Sequence, residues 1–136
     1  WHRLPALLRR QGPHPAGIVF HSYSGGVELV TPLAELNGYF SFSATVLHPR
    51  NTRARRAAQA VSLDRLLIES DAPNLPPETA APELLPLRDA NGRPVNEPAA
   101  LILVAQGLAD LRGIPLDELC QSTWQNARRL FDRGEP

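Results

Sequence analysis

Glu69-Ser70-Asp71-Ala72-Pro73 follows the apolar run Leu66-Leu67-Ile68 and places two carboxylates at the end of what reads as a buried parallel strand. Strand alternation sends Leu67, Glu69 and Asp71 to one face and Leu66, Ile68 and Ser70 to the other. Two acids on one face of an apolar strand are costly to bury unless a cation or several donors meet them. Pro73 has no N–H to give a ladder, so the strand stops there with Asp71 near its carboxyl end. In α/β folds ligand chemistry collects at that end. Asp71 therefore reads as a metal-ligating aspartate, with an acid capping the next turn as the alternative. His21 closes an earlier strand beside the turn Ser22-Tyr23-Ser24-Gly25-Gly26. Neutral imidazole at a strand end is a common metal ligand, although a lone His is more often structural. Strands two apart in a barrel aim their ends at one central volume, so His21 and Asp71 are expected to share a site.

Glu69 lies one layer deeper than Asp71 on the same face. It reads either as an acid that orients a ligand or as a buried acid satisfied by an arginine. His48 and Arg50 fall in the loop after the second strand, within reach of an anionic substrate. Arg93, in Gly92-Arg93-Pro94, lies on a long loop over the expected site and could contact phosphate. Loop His and Arg residues are more often simply solvated, as Arg53, Arg55 and Arg56 are expected to be on the wet face of a helix. Trp1 and Trp124 read as packing residues. No GxGxxG or Walker loop occurs, the Gly25-Gly26 turn has no following Lys, and Ser22 and Ser24 lack a nucleophile elbow.

These residues must be positioned by a regular alternation of elements. A helix from His2 to Gln11 ends at Gly12-Pro13. Ala16 to His21 reads as a strand, and a helix follows to Leu36, closed by Asn37-Gly38 and interrupted by Pro32. Tyr39 to Ser43 alternates as a strand, and Asn51 or Thr52 opens an Arg/Ala-rich helix to about Val61. Leu66 to Ser70 is the third strand. A Pro-rich loop runs from Pro73 to Val95, long enough to expect a functional role. Leu101, Val104, Leu108 and Leu111 line a helix that Gly113 ends, and Pro115 opens a last helix to Phe131. Strands alternating with helices argue for an α/β fold of parallel units. Three such strands cannot close a barrel, but they could be the last three of eight.

With 136 residues the chain suits one domain or part of one. It is 43% hydrophobic and 21% charged, the composition of a soluble globular protein. No run approaches the ~20 apolar residues of a membrane span, and no signal peptide opens the chain. Net charge is zero, which excludes a global basic field, yet all 14 basic residues are arginine, the better bidentate phosphate binder. The one cysteine, Cys120, excludes an internal disulfide, fits a cytoplasmic protein, and reads as a small buried hydrophobe. The sequence contains no methionine and opens with Trp1-His2-Arg3 already inside a helical pattern, so it is expected to be the back part of a longer protein.

His21-Ser22-Tyr23-Ser24-Gly25 resembles the His-Cys-Phe-Ser-Gly motif of the TatD-type metal-dependent hydrolases, and Glu69-Ser70-Asp71-Ala72-Pro73 resembles their Glu-Thr-Asp-Ala-Pro motif. Asn96-Glu97-Pro98 and Asn126-Ala127-Arg128-Arg129-Leu130-Phe131 look like two later signatures, in the same order and at similar spacing. The resemblance implies the C-terminal part of a (β/α)₈ barrel about twice this length, with residues 1–136 supplying the last three strands and the N-terminal strands lying outside this chain. It implies hydrolysis of phosphodiesters, commonly in DNA, with one or two divalent cations (Mg, Mn or Zn). By motif position His21 would ligate one metal, while Asp71 would ligate the other and help to position or deprotonate the attacking water. The family's first-strand His-x-His, its bridging Glu and a further strand-end His have no counterpart here. The loop from Pro73 to Asn96 is also longer than usual in the family. The isolated chain is accordingly expected to expose strand edges, to oligomerise and to be inactive. The competing expectations are a non-catalytic barrel fragment, a partner-binding remnant, or a hydrolase of non-nucleic-acid esters or amides.

Overall fold

The structure, a computed structural model, describes residues 1–78 and 85–132. The middle of the expected Pro73–Val95 loop, residues 79–84, lies outside the described residues. In chain order the elements are α1 (Leu4–Gln11), β1 (Ile18–Phe20), α2 (Val30–Ala34), β2 (Gly38–Phe42), α3 (Thr52–Ala60), β3 (Leu66–Ile68), α4 (Leu101–Arg112) and α5 (Leu116–Phe131). Short 3₁₀ turns precede α2, β3 and α4 and follow β2. The strands form one parallel sheet in the order β1-β2-β3.

Register sorts the side chains into two faces. Phe20 pairs with Phe40 and Phe40 with Leu66, while Val19 pairs with Tyr39 and Ser41 with Leu67. Phe20, Phe40, Phe42 and Leu66 point to one side and join the main core with Leu33, Val46, Val61, Val104, Leu108 and Leu119. The opposite face carries Tyr39, Ser41 and Leu67, and the end of α5 packs against it through Leu130 and Ala127. β2 is buried along its whole length, as a central strand should be.

The strands are shorter than their apolar runs. β1 is bounded by Gly17 at φ +84° and Ser22 at φ +46°, both outside the extended region. β3 gives up its ladder after Glu69, whose N–H still bonds Phe42 O at 3.1 Å. Pro32 is accommodated because a 3₁₀ turn over Val27–Leu29 comes first, which places it in the opening turn of α2, where no intrahelical N–H is needed. Asn37 ends that segment at φ +63°. Gly38 must lack a side chain, since a Cβ there would stand 2.5 Å from both Leu33 O and Phe20 Cε2.

Several expectations need correction. α3 does begin where expected, with Asn51 just before Thr52, but the Asn51 amide donates to Thr45 O and makes no side-chain cap. Arg55 is not on a wet face, because its guanidinium donates to Leu47 O at 3.0 Å. Cys120 is half-buried rather than core. Trp124 is 58% exposed and lies 5.2 Å beneath the Arg128 guanidinium, whereas Trp1 packs edge-on to Tyr23 at 4.9 Å.

Asn126 fixes α5 to the base of β3. It is buried, and its amide donates to Leu63 O at 2.7 Å and Leu66 O at 2.8 Å. Asn126→Ala leaves both carbonyls without this donor in a dry setting, so unfolding in urea is expected to show a loss of about 2–3 kcal/mol.

Candidate metal centre

His21, Ser41 and Glu69 belong to three adjacent strands or their immediate continuations, and all three come to the sheet face opposite the main core. His21 follows β1, Ser41 lies in β2, and Glu69 and Asp71 follow β3. His21, Glu69 and Asp71 each offer one ligand atom, and these atoms lie within 4.8 Å of one another. Leu67 lies in β3, while Glu69, whose N–H makes the last ladder bond to Phe42 O, and Asp71 lie in the segment just beyond it.

Glu69 is the hinge of the group. Its Oε2 lies 2.6 Å from His21 Nδ1 and also accepts a hydrogen bond from Ser41 Oγ. Nδ1–H therefore donates to the carboxylate, and in the neutral ring Nε2 keeps the lone pair that a metal requires. The ion-pair partner of Glu69 among the described residues is this histidine, not an arginine. Glu69 Oε1 and Asp71 Oδ2 are both buried with no hydrogen-bond partner. Oxygens so placed are expensive unless a cation meets them. The donor set of one imidazole nitrogen and two carboxylates suits a divalent ion, so the residues present fit a metal.

The turn after His21 is built on Tyr23, a role its sequence neighbours do not suggest. Tyr23 is 2% exposed, its ring packs edge-on to Phe40 at 4.9 Å, and its hydroxyl donates to Gly26 O at 2.9 Å. Its N–H bonds Ser41 O at 2.9 Å, tying the turn to β2. Gly25 has no room for a side chain, because a Cβ would stand 2.4 Å from the Tyr23 hydroxyl. Burial pushes the Tyr23 phenol up to about 12, with Glu28 adding to the shift and Arg53 opposing it. The stability from keeping this phenol neutral is fully present below pH 10, where the unfolded chain also holds its proton, and is lost as pH rises toward 12. Urea titrations on either side of pH 10 are expected to show that fall, and Tyr23→Phe to remove most of it at a cost of about 1 kcal/mol near neutrality.

Asn96 braces the loop on the other side of the site. It is buried, its N–H bonds Pro73 O at 3.1 Å, and its amide donates to Asn74 O at 2.7 Å. The two later motifs thus hold the two ends of the Asp71 segment, Asn126 below β3 and Asn96 behind the loop. Ser41 could have been found from sequence, since Tyr39-Phe40-Ser41-Phe42-Ser43 puts its serines on one face of a buried strand.

His48 and Arg93 do not join the group of three. His48 lines a neighbouring cavity between the loops that follow β2 and β3. Arg93 is exposed on a turn, its N–H bonded to Asp89 Oδ1 at 2.8 Å, and it does not line that cavity.

His21, Glu69 and Asp71 thus gather just past the carboxyl ends of strands in a parallel α/β sheet. The family model described as TatD related DNase matches residues 1–132, and the chain belongs to that family. It is 36% identical over 126 residues to "Uncharacterized metal-dependent hydrolase YcfH" of Escherichia coli K12, covering 93% of this chain and 43% of that protein. It is 30% identical over 125 residues to "Uncharacterized metal-dependent hydrolase YabD" of Bacillus subtilis 168, covering 92% and 45%. The crystal structure of YjjV, a TatD homolog from Escherichia coli K12, superposes with a TM-score of 0.78 at 27% identity, over 98% of this chain and 47% of that one. The chain thus spans about half the length of the relatives it matches. Among the described residues no single helix is long and apolar enough to cross a membrane.

Proposed function

We propose that the protein carrying this chain is a metal-dependent phosphodiesterase acting on DNA, and that His21 and Asp71 are metal ligands in it. The observation that carries the reading is the pair of buried, partnerless carboxylate oxygens, Glu69 Oε1 and Asp71 Oδ2, gathered with His21. Family membership supports the choice of hydrolysis and of DNA.

Asp71 offers Oδ2 to the metal and is placed to orient water or take its proton. Glu69 holds the His21 ring through Nδ1 and turns Nε2 outward, and Ser41 holds Glu69. A divalent cation, when bound, neutralises charge on the phosphoryl oxygens and makes water acidic enough to attack near neutral pH.

The same reading makes residues 1–136 the last part of an eight-stranded (β/α)₈ barrel whose other strands complete the metal site. Its supports are the sequential parallel order of three strands, the length of the relatives, and an apolar cavity of about 260 Å³ along β3, lined by Leu67, Ile68, Leu101 and Trp124.

The test is a screen of the intact protein with Mg²⁺, Mn²⁺ or Zn²⁺ against DNA, simple phosphodiesters and carboxylic esters. Cleavage of the phosphodiesters, abolished by EDTA, is the expected result. Turnover of carboxylic esters alone would replace the substrate class, and no turnover of any substrate would favour a non-catalytic role.

A further inference from the structure

We propose that the cavity lined by His48 is a nucleoside subsite, which takes the base and sugar of a phosphodiester whose phosphate lies at His21, Glu69 and Asp71. The proposal rests on the phosphodiesterase reading for its substrate, but the subsite can be tested without turnover. The cavity holds about 340 Å³, inside the range of ~300–1,000 Å³ typical of sites for small organic ligands. It opens between residues 44–49, which follow β2, and residues 75–78, which follow Asp71. The loops that form it therefore leave the same strand ends that bring the candidate metal ligands together.

Leu47, Pro49, Leu75 and Pro76 give it aliphatic walls suited to a flat, uncharged ring. Leu75 is 54% exposed and sits at φ +47°, an unfavourable backbone for leucine. Asn96 holds that backbone in place, donating to Asn74 O at 2.7 Å and Leu75 O at 3.3 Å.

The polar edge is equally specific. His48 Nδ1 accepts the Arg50 N–H at 3.1 Å, so the neutral ring carries its proton on Nε2. That nitrogen stands 3.9 Å from Glu78 Oε1. A donor beside an acceptor matches the edge of adenine, where a ring nitrogen adjoins an amino group. A second phosphate is the poorer occupant, because among the described residues no arginine lines the cavity and the Glu78 carboxylate does.

Adenosine binding to the intact, EDTA-stripped protein, followed by saturation-transfer NMR, tests the subsite directly. Saturable binding with a Kd of about 1 mM is expected. Thr45→Trp, which fills the cavity, and His48→Ala, on the loop surface, should each weaken it by about tenfold, with unchanged thermal melting. In the metal-loaded protein, His48→Ala should lower kcat/KM for adenosine 5′-(p-nitrophenyl phosphate) and leave that for methyl p-nitrophenyl phosphate unchanged. Absent adenosine binding, binding unaffected by both variants, or equal losses on the two substrates overturns the subsite. Adenosine binding that both variants abolish, in a protein that cleaves neither phosphodiester, leaves the nucleoside site standing and overturns the phosphodiesterase reading.

Discussion

Asp71→Asn is expected to abolish metal-dependent phosphodiester turnover in the intact protein while leaving the fold as stable as before, or more so, when metal is absent. The two effects share one cause. Asp71 Oδ2 is buried and has no hydrogen-bond partner, so without a cation its carboxylate is a cost to folding, and exchanging it for a neutral amide relieves that cost. Burying an unpaired charge costs more than burying a neutral amide in the same place, and the difference is expected to register as a rise in melting temperature in EDTA. With metal present the sign reverses, because the amide loses the charge that holds the ion and cannot accept a proton from water. A loss of about a thousandfold or more in kcat/KM is the natural scale for removing both roles. An Asp71→Asn protein that keeps wild-type turnover with full metal content would sink the assignment. Destabilisation of the same variant in EDTA would return Asp71 to the role of an acid that merely caps its turn.

The alternation of one short strand carried most of this site in the sequence. Period-two alternation put Leu67, Glu69 and Asp71 on one face in the sequence, but the strand itself ends at Ile68, well before Pro73, and both acids lie beyond it. His21 was legible for the same reason, as the last residue of an apolar run before a glycine-bearing turn. What sequence left open was set by contacts between distant segments. The choice of His21 and Ser41 as partners of Glu69 depends on which strand lies beside which, through the Ser41–Leu67 register. Tyr23 looked like a loop residue because its neighbours are Ser and Gly; its burial comes from Phe20, Phe40 and Phe42 converging from two strands. Asn96 and Asn126 stood out as motif residues, but their work is to bond carbonyls more than twenty and about sixty positions upstream, at Asn74 and Leu66. Arg93 was placed by its loop alone, and what the structure adds is a local turn in which Asp89 Oδ1 accepts the N–H groups of Asn91 and Arg93.

Glu69→Gln carries the second large effect, and it separates orientation from ligation. The carboxylate spends Oε2 on His21 Nδ1 and Ser41 Oγ, so its first effect on the metal runs through the imidazole. Glutamine can still accept from Nδ1 through its amide oxygen, but it offers no charge to polarise the ring, and it competes by rotating its NH₂ toward His21. Substitutions of this kind beside a ligating histidine cost about 10–100-fold in metal affinity. The expected result is a fall of that size in affinity for the divalent ion, measured by competition with a chelating dye. kcat at saturating metal should fall by a smaller factor than it does for Asp71→Asn. Stability in EDTA should hold or rise, since Glu69 Oε1 also lacks a partner. Ser41→Ala should move metal affinity in the same direction by less, because it removes one of the two bonds that hold the acid. If Glu69→Gln leaves metal affinity unchanged and only lowers the melting temperature, the acid serves the sheet and not the ion. If it abolishes turnover as completely as Asp71→Asn at saturating metal, Glu69 touches the reacting centre itself, and the chain supplies three ligands where its motifs imply two.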